Sequence, residues 1–186
     1  MNKDMNKDIM LPITLEDIKS IKSGDFVYLT GEIYTARDAA HERLYKAILA
    51  GEDIPIPLNN ATIYYLGPSP NRPDRTIGSA GPTTSSRMDK YTPLLLEQGL
   101  KGMIGKGIRN KEVVEAIKEY KGVYFAAVGG AGALLSRCIK KCEVIAYDDL
   151  GAEAIHKLEI EKFPVVVVND CLGNDYYEQV LVNDKL

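Results

Sequence analysis

From residue 100 onward, strand-like apolar runs alternate with amphipathic helical runs, and that alternation confines the chain to an α/β fold. "LKGMIGKG" reads as a glycine-rich strand and "RNKEVVEAIKEYKG" as a helix, with Val113, Val114, Ile117 and Tyr120 at helical spacing. "VYFAAVGG" then reads as a strand, "AGALLSRCIKKC" as a helix and "EVIAYDDLG" as a strand. "AEAIHKLEI" reads as a short amphipathic helix carrying His156, and "FPVVVVND" as a fully buried strand. Strands separated by helices favour a partly parallel sheet, because a parallel pair needs a crossover long enough to hold a helix.

The first half is less regular. "PITLEDIKSIKSGD" has Thr14 and Asp17 in capping-box spacing ahead of a short helix that Gly24 ends. "FVYLTGEIYTA" alternates as a strand, a bend near Gly31 and a second strand, which suggests an antiparallel element. "RDAAHERLYKAILAG" is a helix with Ala40, Leu44, Ala47 and Ile48 on one face. "ATIYYLGP" is a buried strand, and "KYTPLLLEQG" a helix begun or interrupted at Pro93. No linker divides the chain, so residues 13–186 read as one domain behind a flexible polar tail, residues 1–12.

Bulk properties exclude several function classes. A net charge of −3 does not suit a general nucleic-acid surface. No apolar run is long enough to span a bilayer, and "MNKDMNKDIM" lacks the core of a signal peptide. Three cysteines, an odd number, argue against a disulfide framework and for a reducing cytoplasm. Cys138 and Cys142, four apart on a helix, would share a face. Their spacing matches no common zinc or iron–sulfur pattern, so they and Cys171 read as buried or inert thiols.

Four places gather polar groups at the ends of expected strands, where ligands of α/β sheets usually bind. In "YTARDAAH", Thr35 and Asp38 are candidate caps, whereas Arg37 stands at the end of the helix dipole that disfavours a cation. Arg37 is therefore either paired with an acid such as Glu32 or held for a ligand; His41 lies close by in sequence. In "GPTTSSRMD", Thr83, Thr84, Ser85 and Ser86 offer hydroxyls, and Arg87 offers a guanidinium able to fork onto a carboxylate. A capped turn would explain one or two of these residues but not all. In "MIGKGIRN", Lys106 sits between Gly105 and Gly107, at a strand end or in a solvated turn. In "AVGGAGALL", Gly129 and Gly130 form a strand–helix junction that could cradle an anion on backbone amides; it lacks the dinucleotide and P-loop spacing, and close packing of helix on strand is the stronger reason for the glycines. Arg37, Arg87 and Lys106 together would suit a small dianion such as a dicarboxylate.

Taken in order, "GEIYTARDAAHERL", "GPTTSSRMDKYTPLLLEQG", "GMIGKGIRN", "AAVGGAGALLS" and "DDLGAEAIHKLEIEKFPVVVVND" make the chain resemble the β subunit of a two-subunit class I fumarate hydratase. It is similar also to the β subunit of L(+)-tartrate dehydratase and to the C-terminal domain of single-chain class I fumarases. The resemblance runs from Ile13 onward, with "TSSR" where relatives often carry "TAGR" and "KGIRN" where they often carry "KGNR". It implies a hydro-lyase that interconverts fumarate and L-malate, with an oxygen-sensitive [4Fe-4S] cluster held by an α subunit and not by this chain. It implies a swivelling β/β/α domain with a mixed sheet flanked by helices, and an α2β2 assembly. By position, Arg37, Arg87 and Lys106 match substrate-binding cations, and Thr83 a residue near the proton-transfer step. A tartrate dehydratase β subunit and a non-catalytic dicarboxylate-binding module are the alternatives.

Overall fold

The structure, a computed structural model, describes residues 6–69, 73–128 and 132–183. Strand β2 (Phe26–Thr35) is its spine. Strand β1 (Lys7–Met10) pairs parallel with the first half of β2, and β3 (Thr62–Tyr64) parallel with its last residues. Strands β4 (Gly102–Gly105) and β5 (Val123–Ala127) continue the parallel series from β3. Strand β6 is Ile139–Ala146, and the fifteen-residue β7, Ile155–Asn169, runs antiparallel to β2, β5 and β6. The pairings β2–β3–β4–β5–β7–β2 therefore close into a ring, which leaves those strands without open edges. This is a mixed α/β fold, as the alternation implies.

Side-chain alternation along the ring makes two cores. Tyr64, Ile104 and Phe125 point inward to join Val27, Leu29, Ile33, Leu158 and Val165. Their neighbours Ile63, Tyr65, Met103 and Tyr124 point outward onto Leu44, Leu95, Val113 and Ile117. Those last four come from helices α2 (Asp38–Leu49), α3 (Thr92–Glu97) and α4 (Lys111–Tyr120). The expected capping box is present on α1 (Leu15–Ser20): Asp17 N–H donates to Thr14 Oγ1 at 3.1 Å, and Thr14 N–H to Asp17 Oδ2 at 3.0 Å. Pro93 lies in the first turn of α3, where its missing N–H costs no helical bond.

Four local readings need correction. "FVYLTGEIYTA" is one strand, not two, and the bend at Gly31 is a bulge where the register with β7 shifts. Gly31 has φ of +137°, and a Cβ there would lie 2.8 Å from Leu11, so only glycine lets the chain pass. The antiparallel partner of β2 is β7, far along the sequence, rather than an adjacent hairpin arm. Helix α5 (Gly132–Arg137) stops before Cys138, and "IKKCEVIA" is β6, so Cys138 and Cys142 share no helix face. "IHKLEI" is strand too. His156, Leu158 and Ile160 alternate inward along β7, and backbone partners on both β2 and β6 outweigh the helix propensity of Glu and Lys. Residues 7–10, within the segment expected as a tail, form β1 with Ile9 buried. The Gly129–Gly130 junction lies outside the described residues.

Candidate functional site

Because β2, β3 and β4 are parallel, their C-terminal ends emerge on one edge of the ring. Three chain segments meet there. After β3, Thr83 N–H donates to Tyr65 O at 2.7 Å, and Ser85 N–H to Lys106 O at 2.9 Å, while Thr84 bridges Lys106 in parallel. The "GPTTSSR" loop is thus laced between the extensions of β3 and β4. Arg87 Nε then donates to Asp38 Oδ2 at 2.8 Å, tying the same loop to the start of α2. This lacing sets the Thr83–Arg87 segment beside Lys106 and ties Arg87 to Asp38, the residue after Arg37.

The loop is not the helix entrance its hydroxyls suggested. It runs into a 3₁₀ turn, Ser85–Met88, and α3 begins only at Thr92. Thr84 precedes the turn without a side-chain capping bond. Ser85 turns inward, its hydroxyl 2.8 Å from that of Tyr124, which in turn donates to Gly107 O at 2.8 Å. Among the described residues the hydroxyls of Thr83, Thr84 and Ser86 have no hydrogen-bond partner. The close lacing also fixes Gly105. A Cβ there would stand 1.9 Å from Ser85 Oγ and 2.8 Å from the Tyr65 ring. Gly105→Ala is expected to expel Ser85 from its place and to cost about 1–3 kcal/mol, read as a lowered urea midpoint at unchanged slope.

The question of why a cation stands at the start of α2 has a structural answer, and it is not Glu32, which pairs with Lys157 at 3.7 Å. Glu153 supplies the negative charge. Its Oε1 accepts from Ala39 N–H at 3.3 Å and lies 3.5 Å from Arg37 Nε, so one carboxylate caps the helix and faces the arginine. Neither Thr35 nor Asp38 caps α2: Arg37 is the N-cap residue, Thr35 Oγ1 accepts from His156 N–H at 3.0 Å, and Asp38 holds Arg87. The Arg37 guanidinium also packs against Gly67, where a Cβ would come within 2.7 Å of it.

His41 anchors Arg37 from behind. Its ring Nδ1–H donates to Arg37 O at 2.9 Å, beside the helical bond from its own N–H at 2.8 Å to the same oxygen. Burial pushes its imidazole down from the ordinary 6.5 to about 4. The unfolded chain therefore binds a proton that the folded chain refuses. The stability tied to neutral His41 is complete above about pH 6.5 and is lost as pH falls toward about 4. His41→Gln is expected to flatten the dependence of Tm on pH across that window, leaving a smaller slope of the same sign from His156, whose pKa burial also lowers. An unchanged slope would remove His41 as its source.

Beneath the edge lies a buried ion pair, Arg109 with Asp89, that is not among the residues expected from the sequence. Arg109 is fully buried and donates from Nε to Asp89 Oδ1 at 2.6 Å and from Nη2 to Thr92 Oγ1 at 2.8 Å. Asp89 Oδ2 accepts from Asn110 N–H at 2.9 Å, and the guanidinium lies 4.8 Å from the Tyr124 ring centroid and 5.2 Å from that of Tyr65. Burial opposes its charge, yet Tyr65 and Asp89 together hold its pKa above the ordinary value. The pair ties the loop after β4 to the 3₁₀ turn that carries Arg87. The only sequence signal was an arginine set between Ile108 and the helix cap Asn110.

The three thiols make separate contacts. Cys138 Sγ faces Leu134 O and Lys162 O, Cys142 sits in β6 opposite Leu158, and Cys171 is buried with Sγ 3.9 Å from Ile18 O. Among the described residues no three His, Cys, Asp or Glu side chains gather as a metal site. The three thiols, so dispersed among the described residues, do not form an iron–sulfur ligand set there. No helix among the described residues is long and apolar enough to cross a membrane.

Comparison with known proteins decides the family. The sequence model of the family described as "Fumarase C-terminus" matches residues 1–180. The chain belongs to that family. It is 38% identical over 174 residues to a Methanocaldococcus jannaschii protein provisionally named L(+)-tartrate dehydratase subunit beta, covering 90% of this chain and 89% of that one. It is 41% identical over 155 residues to "Fumarate hydratase class I, anaerobic" of Escherichia coli, covering 82% of this chain and 28% of that protein. "Fumarate hydratase 1, mitochondrial" of Leishmania major is 36% identical over 178 residues, 95% of this chain and 32% of its own length. This member of the fumarase C-terminus family thus spans about a third or less of the two fumarate hydratases.

Proposed function

We propose that the chain is the β subunit of an iron–sulfur-dependent hydro-lyase that interconverts fumarate and L-malate. In this reading Arg37, Arg87 and Lys106 bind the substrate's two carboxylates, and an α subunit completes the site and carries the [4Fe-4S] cluster. The observation that supports it best is the shared edge: loops after three parallel strands deliver the cations and Thr83 to one face. Arg87 and Lys106 are exposed there, open to a second polypeptide and to a dianion. The contacts of the three cysteines, Cys138 with Lys162 O, Cys142 opposite Leu158 and Cys171 with Ile18 O, gather no ligand set among the described residues, which supports leaving the cluster to the partner.

The residues of this chain have definable work in such a reaction. Removing a proton beside a carboxylate builds aci-carboxylate charge, which preformed guanidinium and ammonium donors stabilise as it develops. Thr83 presents a hydroxyl to the same region and serves as a substrate contact; as a base it would need adjacent cations to favour its alkoxide. The L(+)-tartrate dehydratase reading is the second one, favoured by the near end-to-end match with a protein bearing that name. We assign an α2β2 assembly and a cytoplasmic setting, the latter on the three free thiols.

The test is reconstitution. The isolated chain is expected to show no hydratase activity, and anaerobic mixing with an iron–sulfur α subunit to restore turnover. Comparing kcat/KM for L-malate and L(+)-tartrate then separates the two substrates. Robust malate dehydration by the purified chain alone would sink the assignment. Dicarboxylate binding by that chain, with no turnover in any assembly, would favour a binding module. Replacing Cys138, Cys142 and Cys171 together by serine is expected to cost stability, chiefly at buried Cys171, but to leave the iron content of the assembled enzyme unchanged. Loss of iron from a correctly assembled variant would return these thiols to the ligand set.

A further inference from the structure

We propose that Asp38 is a positioning residue that presents Arg87 to the substrate through its two terminal nitrogens. The inference rests on the reading of this edge as a dicarboxylate site. Asp38 begins α2, where a carboxylate is favoured by the helix dipole. Its Oδ2 accepts from Arg87 Nε at 2.8 Å. That bond uses the side edge of the guanidinium. Among the described residues Nη1 and Nη2 have no partner, so the end-on pair is the fork left for an incoming carboxylate.

Two features set this pair apart from an ordinary surface contact. Asp38 Oδ1 is buried and has no donor among the described residues, an arrangement that costs desolvation without a compensating bond. Such features persist where a site requires them. The Arg87 side chain, by contrast, remains 53% exposed, and among the described residues its one hydrogen bond is to Asp38. An unheld arginine with that freedom would lose rotamer entropy on every substrate encounter, whereas one held at Nε has lost it beforehand.

The test has two arms that fail independently. In the isolated chain, solvent exchange of the Arg87 Nε–H is followed by ¹⁵N-resolved NMR, with the resonance assigned by its loss in Arg87→Lys. Asp38→Asn and Asp38→Ala are expected to speed that exchange about tenfold, as befits loss of a charge-assisted bond. Unchanged exchange in both variants would overturn the proposal whatever the enzyme's activity. In the assembled enzyme, Asp38→Ala is expected to lower kcat/KM about tenfold in an otherwise wild-type background but less than about twofold beside Arg87→Lys. Equal losses in both backgrounds would show that Asp38 acts independently of Arg87 and would also overturn it. Thermal unfolding of each variant separates these effects from damage to α2. Should the wild-type assembly lack activity, the functional reading falls and the exchange measurement still decides the role of Asp38.

Discussion

If the chain is the proposed hydro-lyase subunit, Arg87→Lys is expected to lower kcat of the assembled enzyme by on the order of a hundredfold or more while KM rises much less. Lysine keeps the charge but loses the planar pair of donors, and it cannot bond Asp38 and a substrate carboxylate at once with the same geometry. In the folded chain the Nε edge is already committed to Asp38 Oδ2, so in the proposed site the catalytic share would fall on the terminal nitrogens. If that contact strengthens as charge develops, its loss appears in kcat. Assembly with the α subunit is expected to survive, because the side chain is more than half exposed and removes little packing. Steady-state kinetics on a variant of verified iron content and subunit ratio is the measurement. Near-normal kcat and KM would reduce the "GPTTSSR" loop to a structural turn.

Arg109→Met is expected to be the most destabilising single change, costing about 3–5 kcal/mol, because it strands a buried carboxylate. With the side chain of Arg109 fully buried and that of Asp89 7% exposed, water cannot replace the lost partner. Asp89 would keep only the N–H of Asn110, and Thr92 would lose its donor. For a chain of this size the loss corresponds to a fall in Tm of roughly 10 °C. Adding Asp89→Asn to Arg109→Met should recover part of it, since a neutral amide tolerates burial better than an unpaired charge. A loss below about 1 kcal/mol for Arg109→Met would mean that the pair is not closed in solution as described.

Much of the element order was legible because it rests on local physics. Helical spacing of Val113 and Ile117, the capping box at Thr14 and Asp17, and the unbroken "PVVVV" run each announce themselves within a few residues. Where the reading failed, the deciding partner lay far away. "IHKLEI" has residues content in a helix, yet it becomes strand because β2 and β6 offer it hydrogen bonds on both edges. The same is true of "IKKCEVIA", whose lysines and glutamate suit an exposed edge strand once β7 is present to pair with it.

The site divides in the same way. The sequence by itself determined which residue types stand at the strand ends: the arginines, the lysine and the hydroxyls are visible as an excess over what a turn requires. It did not determine their partners. That Arg37 faces Glu153, that Asp38 holds Arg87, and that Ser85 turns inward to Tyr124 were decided only by the tertiary structure. The physical reason is the long-range character of these contacts. Ion-pair and side-chain hydrogen bonds are specified by distances across a closed ring, which brings residues 38 and 87, or 37 and 153, into contact. Propensity and periodicity carry no record of distances between residues so far apart along the chain, and only packing around the ring sets them.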